Sequence, residues 1–491
     1  MSIRPPAVPV SPSTDAAPTR AGAGWPLRLS DVRGAARLAV EATLGVTDVV
    51  EQLHHTILRR AAPLSLGGAV PPAPGPTRGI TGLAYRSVRG VTRGVGQGLD
   101  LLLGPAAQRV LDSSPLQRLL NQPAAQRLAR PANEGQAARS RQAVLAALNG
   151  VLGDHLHDTN NPLALPMVLR HPGRLLDVLD VRELSAAPGG SAAPLHARPR
   201  VLLMVHGLCM SPWQWQPQPD AARLAAAEAS VDVGAALAAD GDLCLLHLHY
   251  NTGLPIATNG RILADRLQAL FQAWPVPLQE LVVVGHSMGG LLARSACHVA
   301  QMRGDAWLSR LSTLVFLGTP HHGAPLERGG RGLDLLLGVS PYTAMFARLG
   351  QVRSAGITDL RHGYLRQADA ESIGSSRGQA QGEALRHTPL PTQVRCFAVA
   401  GQVRDGALSR RLGPRGQAWL GDGLVPVDSA LGQHQQDELS LDIPAERRRV
   451  VQGLDHFELT HRAEVLAQLR AWQVVSPAAR SRHVDEGGLP T

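Results

Sequence analysis

The chain contains no lysine. All 48 of its basic residues are arginine, set against 39 acidic ones, and the formal charge is +9. An excess of this kind favours phosphate-rich surfaces such as membrane headgroups or nucleic acid. A composition weighted towards Arg, Ala, Gly and Pro accounts for it more simply, so no specific nucleic-acid partner is expected. Aromatic residues make up only 3% of the chain against a hydrophobic fraction of 44%, so a core must be built from Leu, Val and Ala. The four cysteines, Cys209, Cys244, Cys297 and Cys396, are far apart and lie in apolar segments. This excludes a disulfide framework and a CxxC metal site, and buried thiols in a reducing compartment are expected. No apolar run approaches the roughly 20 residues of a spanning helix, and the Pro- and Ser-rich start lacks the apolar core of a secretory signal. A cytoplasmic protein is expected, with peripheral membrane contact as the further option. No metal and no cofactor is read from the sequence.

What is present has order along the chain. Residues 1–28 read as a disordered leader, because Pro and small polar residues do not repay the entropy of ordering. From Asp31 to Arg60, Leu38, Ala42, Val46, Val49, Leu53 and Ile57 recur at helical spacing and predict an amphipathic helix. A Pro/Gly-rich linker over 61–77 ends it. A second helical pattern carries Ile80, Ala84, Val88, Val91, Val95, Leu99 and Leu102 on one face and Arg86, Arg89 and Arg93 on another. Gly90, Gly94 and Gly98 weaken it and offer close backbone approach, so it needs a packing partner. A hairpin packed on the rest of the chain is the favoured expectation, and a basic helix on a lipid surface is the other. Shorter helices are predicted over 115–130 and 137–153, making 29–153 a helical region. Residues 154–199 read as a connection. Its first part, 154–170, is too rich in Pro and Asn for helix interior and predicts a turn plus an extended segment. His155, His157 and Asp158 lie close together there without a convincing further metal ligand, and are read as polar surface.

From Arg200 the texture changes to alternating strands and helices, which predicts a mostly parallel α/β sheet over 200–475. Strands are expected at 200–205, 243–250, 281–285, 311–318, 394–400 and 448–453. Helices are expected at 221–239, 260–274, 291–303 and 460–472. Residues 321–392 interrupt the sheet and are long for a loop, so they read as a lid or cap. Residues 476–491 read as a disordered tail.

The most informative stretch is Leu281 to Gly290, LVVVGHSMGG. Four apolar residues run into Gly-His-Ser-Met-Gly and then into LLARSACHVA, a strand, a sharp turn and a helix. Such a turn holds a serine hydroxyl at the end of a sheet, and its glycines remove the clashes that side chains would create. Ser287 is therefore the candidate nucleophile. A second Gly-x-Ser-x-Gly match at Gly374 to Gly378 follows polar sequence, and its context rejects it.

A serine hydroxyl needs a histidine to take its proton and an acid to orient that histidine. Asp422 lies in GDGLVP, where flanking glycines allow a tight turn, and His456 lies in LDHFEL directly after the last strand. Asp428 is the serious rival acid; Asp405 and Asp455 are less favourable. His461 is the rival base but falls within the closing helix. Two backbone N–H groups should receive a developing oxyanion: that of Met288, after the nucleophile, and that of Leu208 in Val205-His206-Gly207-Leu208, which ends the Arg200 strand.

Taken together, VHGL, GHSMGG, LGTPHHGAP, GDGLVP and DHFEL resemble the lipase and esterase side of the α/β-hydrolase superfamily, close to bacterial proteins similar to GPI inositol-deacylase. The resemblance spans about Arg200 to Trp472. It implies an α/β-hydrolase fold and a serine ester hydrolase with Ser287, Asp422 and His456 as its triad, acting on a small-molecule or lipid ester. An acyltransferase or thioesterase on the same triad is the alternative, as is a membrane- or partner-binding role carried by the N-terminal helices. His206, Trp213, His286, His321 and His322 are candidate pocket residues, and Trp215 stands beside Trp213 behind the oxyanion loop.

Overall fold

In a computed structural model, residues 29–61, 79–103, 134–172, 177–179, 197–216, 230–323, 354–366, 388–403 and 421–477 are described. The leader, the linker over 61–77 beyond Ala61, the short helix over 115–130, most of the interruption over 321–392, the second Gly-x-Ser-x-Gly match, Asp405 and the tail beyond residue 477 lie outside them. The chain divides into two compact units, Met1–Ala137 and Ala138–Thr491.

In the first unit, α1 (Leu29–Ala61) and α2 (Gly79–Leu102) form an antiparallel hairpin. Its direction follows from its ion pairs. Arg33 and Arg37, at the start of α1, bind Asp100 near the end of α2 at 2.8 and 2.6 Å. Arg89 in the middle of α2 reaches Asp48 at 2.6 Å and also Glu51. The two guanidinium groups hold the Asp100 carboxyl well below the usual carboxylate range. The packing partner expected for α2 is thus α1. The glycine that admits it differs from the expectation: a side chain at Gly96 would lie 3.1 Å from Val40, whereas Gly90, Gly94 and Gly98 meet no atom within 4 Å. Those three turn away from α1, as do the exposed Val88, Val91, Val95 and Leu99. Among the described residues no helix is long and apolar enough to cross a membrane.

The second unit is an α/β fold, and its elements begin upstream of Arg200. Helix α3 (Glu134–Asp158) takes in residues 154–158 of the segment 154–170 expected as a turn plus an extended segment, and a turn and a strand occupy the rest. Asp154, His155, Leu156 and His157 are compatible with helix, and the breakers Asn160, Asn161 and Pro162 act only after them. Leu156 is fully buried while His155 and His157 are exposed. Strands β1 (Val168–His171) and β2 (Asp177–Leu179) then enter the sheet. The remaining elements are β3 (Arg200–Val205), α4 (Val233–Gly241), β4 (Cys244–His249), α5 (Ile256–Ala273), β5 (Glu280–His286), α6 (Met288–Arg303), β6 (Leu311–Leu317), α7 (Ala355–His362), β7 (Arg395–Gln402), α8 (Val427–Ala430), β8 (Arg448–Gln452) and α9 (Ala463–Ala471). Helix α4 is what is described of the alanine-rich helix expected over 221–239; residues 217–229 lie outside the described ones. His461 falls in the turn before α9 rather than inside it.

The sheet has eight strands in the order β2-β1-β4-β3-β5-β6-β7-β8. Six strands from β4 to β8 run parallel, and β1 pairs antiparallel with both β4 and β2. Successive side chains of a strand point to opposite faces, and here both faces are covered. Val201, Leu203, Leu281 and Val283 join one apolar cluster with Leu263 and Leu267 of α5 and Leu291 and Leu292 of α6. Leu202, Met204, Val282 and Val284 join another with Leu237 of α4 and Leu466 and Leu469 of α9. Burial on both faces is why LVVV is apolar without alternation. Each such side chain contributes about 1.5–3 kcal/mol on leaving water. This core fixes the carboxyl ends of β3, β5, β7 and β8 beside one another, where a parallel sheet presents its loops.

Candidate active site

The turn after β5 is strained at one residue. Ser287 has φ 54° and ψ −125°, a conformation that a non-glycine residue rarely adopts. It persists because both sides are tied down: the Ser287 N–H donates to the Leu317 carbonyl of β6 at 2.9 Å, and the Ser287 carbonyl accepts from Gly290 at 3.0 Å. Met288 is the first residue of α6, so its N–H has no intrahelical acceptor.

Beside the elbow, the parallel register pairs Val205 with Gly285, and this sets His206 and Gly207 next to His286 and Ser287. The approach is close enough to demand glycine. A side chain on Gly207 would lie 2.9 Å from the Ser287 Cβ and 3.2 Å from His286 Nδ1. In the loop that follows, Met210 donates to the Gly207 carbonyl at 3.3 Å and Cys209 donates to Thr252 Oγ1 at 3.2 Å. The Leu208 N–H between them has no acceptor among the described residues. Substituting Gly207 with alanine is expected to move this loop off Ser287, and ester hydrolysis at a site built on these residues is expected to fall about 100-fold in kcat, at unchanged melting temperature within a few degrees. Ester hydrolysis at saturating substrate checks it, and a kcat within threefold of wild type would refute the close approach.

Several groups that the sequence did not single out support this loop. Tyr250 Oη donates to the His206 carbonyl at 2.9 Å, and its ring stacks on the His206 ring at 4.7 Å. Asn251 Nδ2 donates to the Gly153 carbonyl of α3 at 2.8 Å. A side chain on Gly150 of α3 would collide with Cys209. The only advance signal was the polar run HYNTG at the end of β4. Cys209 itself is fully buried, which pushes its thiol up to about 12 and makes it inert; all four cysteines are free and buried.

Asp422 and His456 meet. His456 Nδ1 donates to Asp422 Oδ2 at 2.7 Å, with both side chains almost fully buried. The other carboxylate oxygen, Oδ1, accepts from the Leu424 and Val425 N–H groups at 3.0 and 2.8 Å. This tight turn needs positive φ on both sides of the acid, 53° at Gly421 and 94° at Gly423. The rivals lie elsewhere. Asp428 is exposed, Asp455 caps the following turn through Phe457 and Glu458, and His461 Nδ1 pairs with Thr460 Oγ1.

The candidate pocket residues separate. His206 is buried under the loop with Nδ1 on the Gly207 carbonyl at 3.0 Å, and burial lowers its pKa to about 4. His286 lies behind His456, its Nε2 against the His456 carbonyl at 2.8 Å. Trp213 is buried under the Arg139 guanidinium of α3 at 4.7 Å, and Trp215 meets the His286 ring edge-on at 6.3 Å. His321 is buried against Phe316, its Nδ1 3.1 Å from Arg294 Nη1. Arg294 also donates to the Thr388 carbonyl at 2.7 Å. The His322 ring lies 5.0 Å from that of His434, tilted by 59°. Among the described residues no group of three or more His, Cys, Asp or Glu is placed to hold a metal ion.

With this geometry in view, residues 196–386 match the family described as PGAP1-like alpha/beta domain. This stretch contains Ser287, His286 and the His206-Gly207-Leu208 loop, while Asp422 and His456 lie beyond it on the same sheet. A sequence search among proteins of curated function finds no match. Among solved structures the chain is similar to the mature Bacillus licheniformis lipase BlEst2, at 18% identity and a TM-score of 0.35 over 58% of this chain and 96% of that one. The Staphylococcus hyicus lipase matches at 12% identity and a TM-score of 0.30 over 58% of this chain and 98% of that one. The Legionella pneumophila phospholipase PlaB matches at 15% identity and a TM-score of 0.29 over 48% of this chain and 46% of that one. The matched stretch runs from β3 to α7, and the strands on either side of it complete the sheet.

Proposed function

We propose that the chain is a serine carboxylic ester hydrolase working through Ser287, His456 and Asp422. The observation that carries this reading is the buried pair of His456 Nδ1 and Asp422 Oδ2 at 2.7 Å, formed at the same sheet end as the strained Ser287. In the proposed reaction Ser287 Oγ attacks the ester carbonyl carbon as His456 Nε2 takes its proton. The carbonyl oxygen becomes an oxyanion received by the Leu208 and Met288 N–H groups. The oxyanion collapses, the bond to the alcohol oxygen breaks, and His456 returns the proton to the departing alcohol. Water, deprotonated by His456, then attacks the acyl-serine; the bond to Ser287 Oγ breaks, His456 returns the proton to Oγ, and the acid is released. Asp422 stays ionised throughout, fixing the tautomer and stabilising the imidazolium. The family match and the aliphatic surroundings of the turn, Leu208, Met210 and Met288, support a hydrophobic acyl ester.

A fluorophosphonate probe is expected to label the folded protein and to lose its site in Ser287→Ala. Nitrophenyl esters of increasing chain length, with Ser287→Ala as blank, then report the acyl preference. Folded wild type that neither labels nor hydrolyses any of these esters would sink the proposal. Acyl transfer to an added alcohol in preference to water would replace hydrolysis by transferase chemistry.

A further inference from the structure

We propose that His286 is a positioning residue for the general base, holding the His456 backbone so that the strand presenting the nucleophile also fixes the base. This rests on the triad reading given above. The peptide of His456 is clamped on both sides: its N–H donates to the Asp422 carbonyl at 3.1 Å, and its carbonyl accepts from His286 Nε2 at 2.8 Å. With the ring Nδ1 already on Asp422, backbone and ring are each held, and the direction of the free Nε2 is set by these bonds.

The chemistry of the contact defines the state of His286. A carbonyl oxygen only accepts, so His286 carries its proton on Nε2 and leaves Nδ1 bare. Nδ1 is buried and has no hydrogen-bond partner among the described residues. The imidazole is enclosed: its ring lies 4.7 Å from the His456 ring, the Trp215 edge closes another side, and a side chain on Gly207 would reach within 3.2 Å of Nδ1. Complete burial and the neighbouring His456 hold its pKa well below the ordinary histidine value. A neutral donor in this place adds no second cation beside the imidazolium formed in each proton transfer, which a lysine or arginine would do. His286 thus touches the base loop and the oxyanion loop and is bonded in sequence to the nucleophile, so one side chain sets three parts of the site against each other.

Misplacement of a catalytic group by about 1 Å costs on the order of 100-fold. His286→Leu, which fills the space but donates nothing, is expected to lower kcat by about 100-fold with KM within about twofold. His286→Gln retains an amide donor near the Nε2 position and is expected to recover at least about tenfold of that loss, whereas His286→Asn, too short to reach the carbonyl, is expected to recover none. The full chain is used, with fluorophosphonate labelling rate and melting temperature measured beside hydrolysis. Should the Leu variant fail to fold, the Gln and Asn variants decide on the same criterion. An active wild type whose Leu variant keeps kcat within threefold, or whose Gln variant is no better than Asn, would overturn the role of His286 alone. Wild type lacking both labelling and hydrolysis overturns the triad on which it rests, and this proposal with it.

Discussion

On the proposed triad, Asp422→Asn is expected to lower kcat by about 10,000-fold, the scale of presenting the wrong histidine tautomer to the nucleophile, and to leave the fold in place. The size follows from the turn around the acid. Oδ1 is committed as acceptor to two backbone N–H groups, from Leu424 and Val425. An asparagine must therefore keep its carbonyl oxygen at that position and turn its amide towards His456. Two N–H groups would then face each other across 2.7 Å. His456 escapes by moving its proton to Nε2, and that nitrogen can no longer take the proton of Ser287. Stopped-flow and steady-state hydrolysis measure the loss, with KM expected to stay within a few-fold. The matched control is Asp428→Asn, expected to be near wild type because Asp428 is exposed. Loss of less than tenfold in Asp422→Asn, or equal loss in the control, would show that Asp422 is not the orienting acid.

The second large effect is loss of stability in mild acid. His206 and His247 are buried, and desolvation lowers their pKa values to about 4 and about 3. His249, His286 and His321 are held well below the ordinary value by the same cause. In the unfolded chain each returns to about 6.5. Above that pH both states are neutral and the histidines contribute no pH dependence. As pH falls from about 6.5 towards 4, the unfolded chain binds protons that the folded one excludes, so stability drops. For His206 alone the loss over that window is on the order of 3 kcal/mol, a large fraction of a typical domain's stability. Urea midpoints should therefore hold steady from pH 8 to 7 and fall steeply below 6. A midpoint unchanged down to pH 5 would contradict this. His206→Phe should flatten part of the slope, since its stacking on Tyr250 needs no proton.

The same histidines show where reading the chain succeeds and where it stops. LVVV followed by GHSMGG, the glycines beside Asp422, and the order in which strands arrive are local facts. Backbone strain at Ser287 and positive φ at Gly421 and Gly423 follow from such local chemistry. The pairing partners of His286 are not local: its bond to His456 joins residues 170 positions apart, and nothing in a histidine before a serine distinguishes a pocket wall from a buried clamp. The end of helix α3 has a related cause. Asn160, Asn161 and Pro162 each act only at their own positions, and the buried Leu156 supplies the core contact that carries the helix through to Asp158.

By itself, the sequence determined the parallel α/β architecture, the elbow and the candidates for nucleophile, acid and base. Doubly buried strands, sharp turns and strand-end loops are all encoded within a few neighbouring residues. Only the tertiary structure decided that β1 and β2 extend the sheet upstream of Arg200, that α3 and Tyr250 support the loop of His206, Gly207 and Leu208, and that His286 stands behind His456. Those outcomes depend on which distant backbones the shared core brings within a hydrogen bond of each other.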